Sequence, residues 1–188
     1  MSSRTKVLKP IITNICAKAK LSCLIDLNYI FKSENHLNFI NKRYNPKKFV
    51  GLIVKIQSTN GTVLIFNSGS LILMGCKTID DLFLTCNDII KELRHIGYNN
   101  ITIYNLKVTN YCAAMNLNER INLEKIANCY PKESSLEMEI FPGLKLTMNN
   151  IKYTIHYNGK FFGTGFKSIR QINKKFTKMK DFLLNYQK

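Results

Sequence analysis

Two kinds of apolar pattern alternate along the chain, and the alternation occurs twice. Phe49 to Ile56, Thr62 to Phe66 and Leu71 to Cys76 are short runs rich in apolar and β-branched residues, the signature of strands. Asn67-Ser68-Gly69 joins the last two as a tight hairpin. Before them, an extended segment from Ile11 to Lys20 leads to a short helix that Asp26 opens as N-cap. After them, Asp80 to Ile96 sets Leu82, Phe83, Cys86, Ile89, Ile90 and Leu93 at three- and four-residue spacing, the pattern of a long amphipathic helix. The second series has the same order: an extended segment from Ile101 to Ala114, a short helix opened by Asn122, β-rich runs, and a closing helix from Ser168 to Tyr186. That last helix gathers Ile169, Ile172, Phe176, Met179, Phe182 and Leu183 against a strongly basic outer face.

Residue identities show that the two series are copies. Thr13-Asn14-Ile15-Cys16-Ala17 recurs as Thr109-Asn110-Tyr111-Cys112-Ala113, and Phe49-Val50-Gly51-Leu52 as Phe141-Pro142-Gly143-Leu144. Gly69, Gly75 and Lys77 match Gly159, Gly165 and Lys167. Two copies of a unit of roughly 90 residues are too few for a solenoid. They predict a duplicated domain with approximate two-fold symmetry, residues 8–98 and 99–188, after a flexible N-terminus at residues 1–7.

The strands carry apolar residues on both faces. Val63 and Ile65 point to one side, Leu64 and Phe66 to the other. One long helix per copy covers only one face of a sheet of about ten strands, so the other face is expected to stay open and apolar. Such a surface marks a binding site.

Composition adds the partner's charge. The 188 residues hold 28 Lys and Arg against 12 Asp and Glu, a formal net charge of +16, with 45% hydrophobic residues. This is a folding composition, and its excess of positive charge points to a polyanion; a Lys-, Asn- and Ile-rich bias from an AT-rich genome fits it as well. Charged or polar residues break every apolar stretch before it reaches membrane-spanning length, and the N-terminus lacks a signal peptide's apolar segment. Cys16, Cys23, Cys76, Cys86, Cys112 and Cys129 are scattered without metal-ligand spacing, which predicts reduced, mostly buried thiols and no metal. No phosphate loop, nucleophile elbow or paired His–carboxylate appears, so neither an enzyme nor a cofactor is expected, and His36, His95 and His156 read as structural or surface residues.

Longer stretches carry a family resemblance. Tyr44-Asn45-Pro46-Lys47-Lys48-Phe49, the run Thr62 to Gly69 followed by Gly75-Cys76-Lys77, and Glu137-Met138-Glu139-Ile140-Phe141-Pro142-Gly143-Leu144 resemble segments of the TATA-box-binding protein family, in order and in both copies. The resemblance implies an α+β saddle: a curved antiparallel sheet, helices on its convex side, and a concave underside that grips the minor groove of A·T-rich promoter DNA and bends it with apolar wedges. Phe49, Phe66 and Phe141 match wedge positions. The fourth falls on His156 or, if the deletion lies in the turn, on Tyr157; burying Tyr153, Ile155 and Tyr157 beneath the helix favours His156. Asn14 and Asn110 match the central asparagines that touch base edges, with Cys16 and Cys112 beside them. Leu64, Ile72, Met74, Phe162 and Thr164 would line the floor, Met74 standing where the family usually has threonine. Lys48, Lys55, Lys77, Lys160 and Lys167 match phosphate-contacting positions, whereas Thr147 stands where the family tends to have arginine. Glu137, Glu139 and Ile140 match the stirrup that recruits transcription factor IIB, and Asn87, Asp88 and Glu92 make the first long helix less basic than usual.

The resemblance thus implies a monomeric initiation factor on DNA, working with the RNA polymerase machinery in the nucleus, or in a cytoplasmic viral factory if the source is viral. A divergent architectural DNA-binding protein of relaxed specificity and a curved sheet gripping a hydrophobic ligand are the alternatives. A base-flipping glycosylase would need a further helical domain that two saddle halves leave no room for.

Overall fold

The computed structural model describes residues 8–34 and 36–188, so the expected flexible N-terminus lies outside the described residues. The chain forms two compact units, residues 14–109 and residues 110–188, the latter joined by residues 8–13. In the first unit the elements are β1 (Ile11–Leu21), α1 (Leu27–Lys32), β2 (Phe39–Asn45), β3 (Phe49–Ile56), β4 (Thr62–Ile65), β5 (Ser70–Cys76) and α2 (Ile79–His95). Its strands pair antiparallel in the order β2-β3-β4-β5-β1. The second unit contains β6 (Ile103–Asn116), α3 (Leu123–Cys129), β7 (Ser134–Ser135), β8 (Leu144–Met148), β9 (Ile151–Ile155), β10 (Lys160–Phe166) and α4 (Ile169–Leu184), ordered β6-β10-β9-β8-β7.

Strand β2 has no counterpart among the expected elements. Its sequence, Phe-Ile-Asn-Lys-Arg-Tyr-Asn, lacks an apolar run because it is the edge strand of its unit, where charge discourages pairing with other chains.

Each sheet buries one alternation of its strands. Leu52, Val54, Val63, Ile65 and Leu73 are 0% exposed in the first unit; Leu144, Ile155 and Phe161 are likewise sealed in the second. Burying each such side chain is worth about 1.5–3 kcal/mol. Onto this face α2 lays Leu82, Cys86, Ile89 and Leu93, and α4 lays Ile172, Phe176, Met179 and Leu183. Phe83 and Ile169, expected on those apolar faces, are about half exposed instead, because each falls at the margin of its stripe.

Two of the acids that make α2 less basic, Asp88 and Glu92, are buried. Glu92 is 0% exposed; it meets His36 Nδ1 at 2.6 Å and accepts the backbone N–H groups of Leu37 and Asn38 at 3.0 and 2.8 Å. Asp88, 4% exposed, accepts the Ser58 hydroxyl. Burial of a carboxylate is tolerated here because every oxygen-facing partner is a donor. Lys42 closes the cluster, its ammonium on the carbonyls of Ile30, Phe31 and Ser33 and beside His36, and burial pushes its pKa below the ordinary lysine value. The cysteines also depart from expectation: only Cys76 and Cys86 are buried, while Cys16 and Cys112 are half-buried and Cys23 and Cys129 exposed. Burial pushes the Cys86 thiol up to about 11 and Cys76 in the same direction.

The two long helices begin with homologous but chemically different caps. Thr78 accepts from Asp81 N at 3.0 Å, and the Asp81 carboxylate accepts from Lys77 N and Thr78 N at 3.1 and 3.0 Å. In α4, Ser168 accepts from Gln171 N at 3.2 Å and the Gln171 side chain accepts from Lys167 N at 2.7 Å. The backbone N–H of Lys77 first, and then that of Thr78, hold Asp81 below the ordinary carboxylate pKa. Its contribution is therefore present above the unfolded carboxylate range and lost as pH falls through the depressed native value. Replacing Thr78 by Ala should cost about 1 kcal/mol in urea denaturation. Asp81→Asn should remove part of the stability lost on acidification below pH ~4, while Gln171→Ala leaves that acid limb unchanged.

Candidate nucleic-acid interface

The alternation that seals one side of β1 opens the other. Ile15, Ala17, Ala19 and Leu21 are buried, so Asn14, Cys16, Lys18 and Lys20 share the opposite face. Residues directly opposite in an antiparallel ladder lie on the same face. Arg43 stands opposite Ile53, Ile53 opposite Leu64, Leu64 opposite Ile72 and Ile72 opposite Lys18. A row across five strands thus has a cation at each end and three aliphatic side chains between. The next row runs Asn41, Lys55, Thr62, Met74. Leu64, Phe66, Ile72 and Met74 remain only half-buried.

In the other unit the corresponding rows are Ser135, Lys145, Thr154, Phe162, Ala114 and Thr147, Lys152, Thr164, Cys112. The missing cation at Thr147 is made good one strand over. Lys55 faces Thr62 in the first unit, whereas Thr147 faces Lys152 in the second, so each row retains one lysine.

Each unit carries an aromatic pair at the start of one strand, β3 in the first unit and β8 in the second. The Phe49 and Phe66 ring centroids lie 5.9 Å apart at 69°; Phe141 and His156 lie 5.9 Å apart at 59°. A glycine underlies each pair. A Cβ on Gly51 would come within 2.7 Å of Phe49 and 3.0 Å of Phe66, and one on Gly143 within 2.6 Å of Phe141 and 3.3 Å of His156. His156 therefore occupies the site that Phe66 holds in the other unit, tethered through Nδ1 to the Pro142 carbonyl at 3.2 Å and edge-on to Phe162 at 5.9 Å. Tyr157 lies in the turn and belongs to neither face. It is 42% exposed rather than part of the core, and the Lys188 ammonium sits 5.1 Å from its ring centroid.

Asn14 and Asn110 are held by a matching device. Gly75 and Gly165, at φ of 90° and 108°, form bulges that turn their N–H groups out of the ladder. Gly75 N donates to Asn14 Oδ1 at 2.6 Å and Gly165 N to Asn110 Oδ1 at 2.9 Å. Fixing the oxygen orients the amide nitrogen. Asn14 Nδ2 lies 3.3 Å from Cys16 Sγ; Asn110 Nδ2 lies 3.5 Å from Cys112 Sγ and donates to Thr164 Oγ1 at 3.1 Å. Met74, at the position of Thr164, offers no such acceptor.

Around these floors Lys48, Lys55, Lys77, Lys160 and Lys167 are exposed, and Lys160 lies over the Phe162 ring at 5.1 Å. Lys18, Lys20, Arg43, Lys145 and Lys152 join them on the same faces. These five went unrecognised in the sequence, although the period-two alternation of β1 was the signal for Lys18 and Lys20. Glu137, Glu139 and Ile140 lie together on an exposed loop before Phe141, Ile140 being 80% exposed and the Glu137 carbonyl accepting from Ile140 N and Phe141 N. Among the described residues no His, Cys, Asp and Glu cluster has metal-site geometry.

The family model for transcription factor TFIID (or TATA-binding protein, TBP) matches residues 9–96 and 105–186. The chain belongs to the TATA-binding protein family. It is 35% identical over 178 residues to the TATA-box-binding protein-like 1 of Entamoeba histolytica, an alignment covering 94% of this chain and 80% of that one. The Tetrahymena thermophila TATA-box-binding protein is 33% identical over 183 residues, covering 96% and 72%. Among solved structures, the TBP of Methanococcus jannaschii matches with a TM-score of 0.78 at 27% identity, over 94% of this chain and 99% of that one. TATA-binding proteins are DNA-binding transcription factors of the general transcription machinery and not enzymes, and this chain is a TBP-like transcription factor of α+β fold.

The glycine beneath each aromatic pair in this TBP-like chain gives a direct check. Gly143→Ala should displace the Phe141 ring, cost about 1–3 kcal/mol as an overpacked contact, and abolish the mutual ring-current shifts of Phe141 and His156 in NMR spectra. Retained shifts would show that the pair does not depend on the glycine.

Proposed function

We propose that this TBP-like factor binds the minor groove of A·T-rich promoter DNA through the open faces of its two sheets, bends the duplex, and acts in the nucleus. The observation that carries the reading is the combination in each unit of an open sheet face, a clamped asparagine amide and a rim of lysines, the face being aliphatic at Ile53, Leu64 and Ile72 in the first unit and built of Phe162 among threonines in the second. An amide N–H meets adenine N3 and thymine O2, acceptors that both orientations of an A·T pair present and a G·C pair interrupts with its amino group. Apolar floor residues suit the sugar walls of a widened groove. The lysines supply attraction to phosphates that falls with salt and carries no sequence information.

Bending follows from the aromatic pairs. Inserting Phe49 and Phe66 between base steps unstacks them at a cost of a few kcal/mol, offset by the added contact surface; the family is itself the standard example of this mode. Phe141 and His156 do the same in the second unit. An imidazole is smaller and more strongly hydrated than a phenyl ring, and its tether to Pro142 limits insertion, so that kink is the shallower one. Lys18 and Lys20 add two ammonium groups to one floor where the other has Ala114 and Asn116. The exposed loop with Glu137, Glu139 and Ile140 offers acid and an apolar tip to a transcription factor IIB-like partner.

One observation favours a variant of this reading in which sequence preference is relaxed in one half-site. Thr164 restrains Asn110 through its hydroxyl, and Met74 cannot restrain Asn14 in that way.

Fluorescence-detected bending of an end-labelled A·T-rich duplex across a salt series tests the proposal. Affinity should fall steeply with salt. Phe49→Ala should reduce bending more than affinity, whereas Lys18→Ala should weaken binding to all sequences and lower the salt slope by about 1. Asn110→Asp, which keeps the acceptor for Gly165 N–H but removes the donor, should lose about tenfold in preference for A·T over G·C duplexes. Binding to an unbent duplex, equally tight at every base composition, would refute the mechanism.

A further inference from the structure

The Tyr153 side chain is 3% exposed, with its ring 6.3 Å from both Phe166 and Phe176. It stands opposite Gly163, where a Cβ would lie 2.8 Å from Phe166 and 3.1 Å from Tyr153. The equivalent pair in the other unit is Val63 opposite Leu73, two aliphatic residues. Exchanging them for one large and one absent side chain conserves volume, and phenylalanine would have served the packing equally. The hydroxyl is therefore surplus to the core. Among the described residues nothing hydrogen-bonds it, and burial alone pushes its pKa up to about 12, so it is a neutral donor at physiological pH. It is not sealed in either, since no described buried polar atom lacks a partner.

Tyr153 lines a cleft of about 250 Å³ together with Met148 at the end of β8, Asn149 of the β8–β9 turn, and Lys175, Lys178, Met179 and Phe182 of α4. Its floor is apolar, two ammonium groups stand at its rim, and no carboxylate lines it. The same helix carries Arg170 and Lys174 outside the cleft lining, while its one acid, Asp181, lies 3.6 Å from Lys180. An anion with an apolar arm is what such a cleft complements: the arm against Met148, Met179 and Phe182, the charge against the lysines, and an acceptor for the tyrosine hydroxyl.

We propose that this cleft docks an acidic peptide segment carrying one apolar anchor residue, with Lys175 and Lys178 receiving its carboxylates and the Tyr153 hydroxyl donating to a main-chain carbonyl beside the anchor. Tyr153 lies on the helix-covered face of β9, whereas Thr154, its neighbour, lies on the open face. A partner held in the cleft is thus compatible with DNA on the open face of the same unit, and the site does not depend on DNA binding.

The test is fluorescence anisotropy of a short fluorescein-labelled peptide of Asp and Glu around a single Phe, titrated with the full chain. Lys175→Ala/Lys178→Ala should weaken binding by about tenfold or more, as expected when charge-assisted contacts are removed. Tyr153→Phe, which preserves packing, should weaken it about three- to tenfold through the lost hydrogen bond. Arg170→Ala/Lys174→Ala removes the same charge from outside the cleft and should change affinity by less than about twofold, as expected of exposed charge. Replacing the peptide's Phe by Ala should abolish saturable binding. Equal losses in the two double variants, indifference to Tyr153→Phe or to the anchor, or displacement of the peptide by an A·T-rich duplex would each overturn the proposal.

Discussion

Everything in this molecule depends on a mismatch between its strands and its helices. The strands of the first unit are apolar on both alternations, yet the helices pack on one side. Val63 and Ile65 are therefore fully buried while Leu64 and Phe66, their immediate neighbours, are left half-exposed. An apolar face of this kind remains in water only at a free-energy cost that a ligand can relieve, and a surface ringed by lysines selects a polyanion to relieve it.

The two units solve the same local problems with the same backbone devices and different side chains. A glycine under the aromatic pair and a glycine bulge behind the asparagine occur in both, because each device needs a position without a Cβ or a positive φ. Between these fixed points the chemistry drifts. Histidine stands for phenylalanine, methionine for threonine, and the cation of the second row moves from Lys55 to Lys152 on the neighbouring strand. Charge also drifts across the helices: Asp88 and Glu92 of α2 turn inward to bind a hydroxyl and a loop, whereas α4 keeps an almost uniformly basic outer surface over its cleft.

Much of this was legible in the sequence. The duplication, the long helices and the hairpins follow from periodicity and repeated motifs, which are set by local geometry. Strand β2 was not legible, because an edge strand without a buried alternation reads as polar loop. Nor was the inward turn of Glu92, whose partners come from residues 36–38, far along the chain. The choice between His156 and Tyr157 as counterpart of Phe66 turned on a one-residue register, and only the pairing of β9 with β10 places His156 beside Gly143 and leaves Tyr157 in the turn. Lys18 and Lys20 were marked only by the alternation of β1, since lysines on an open strand face look like solvated surface until the ladder puts them in line with Ile72 and Ser70.

The central claim is that the unroofed alternation is the DNA-contacting one. Methyl NMR of the full chain, titrated with an A·T-rich duplex, examines it residue by residue. The account requires the signals of Leu64, Ile72 and Met74 to shift strongly while those of Leu82, Ile89 and Ile172 beneath the helices barely move. Strong shifts confined to the helix-covered methyls, with the open-face methyls unmoved, would contradict it.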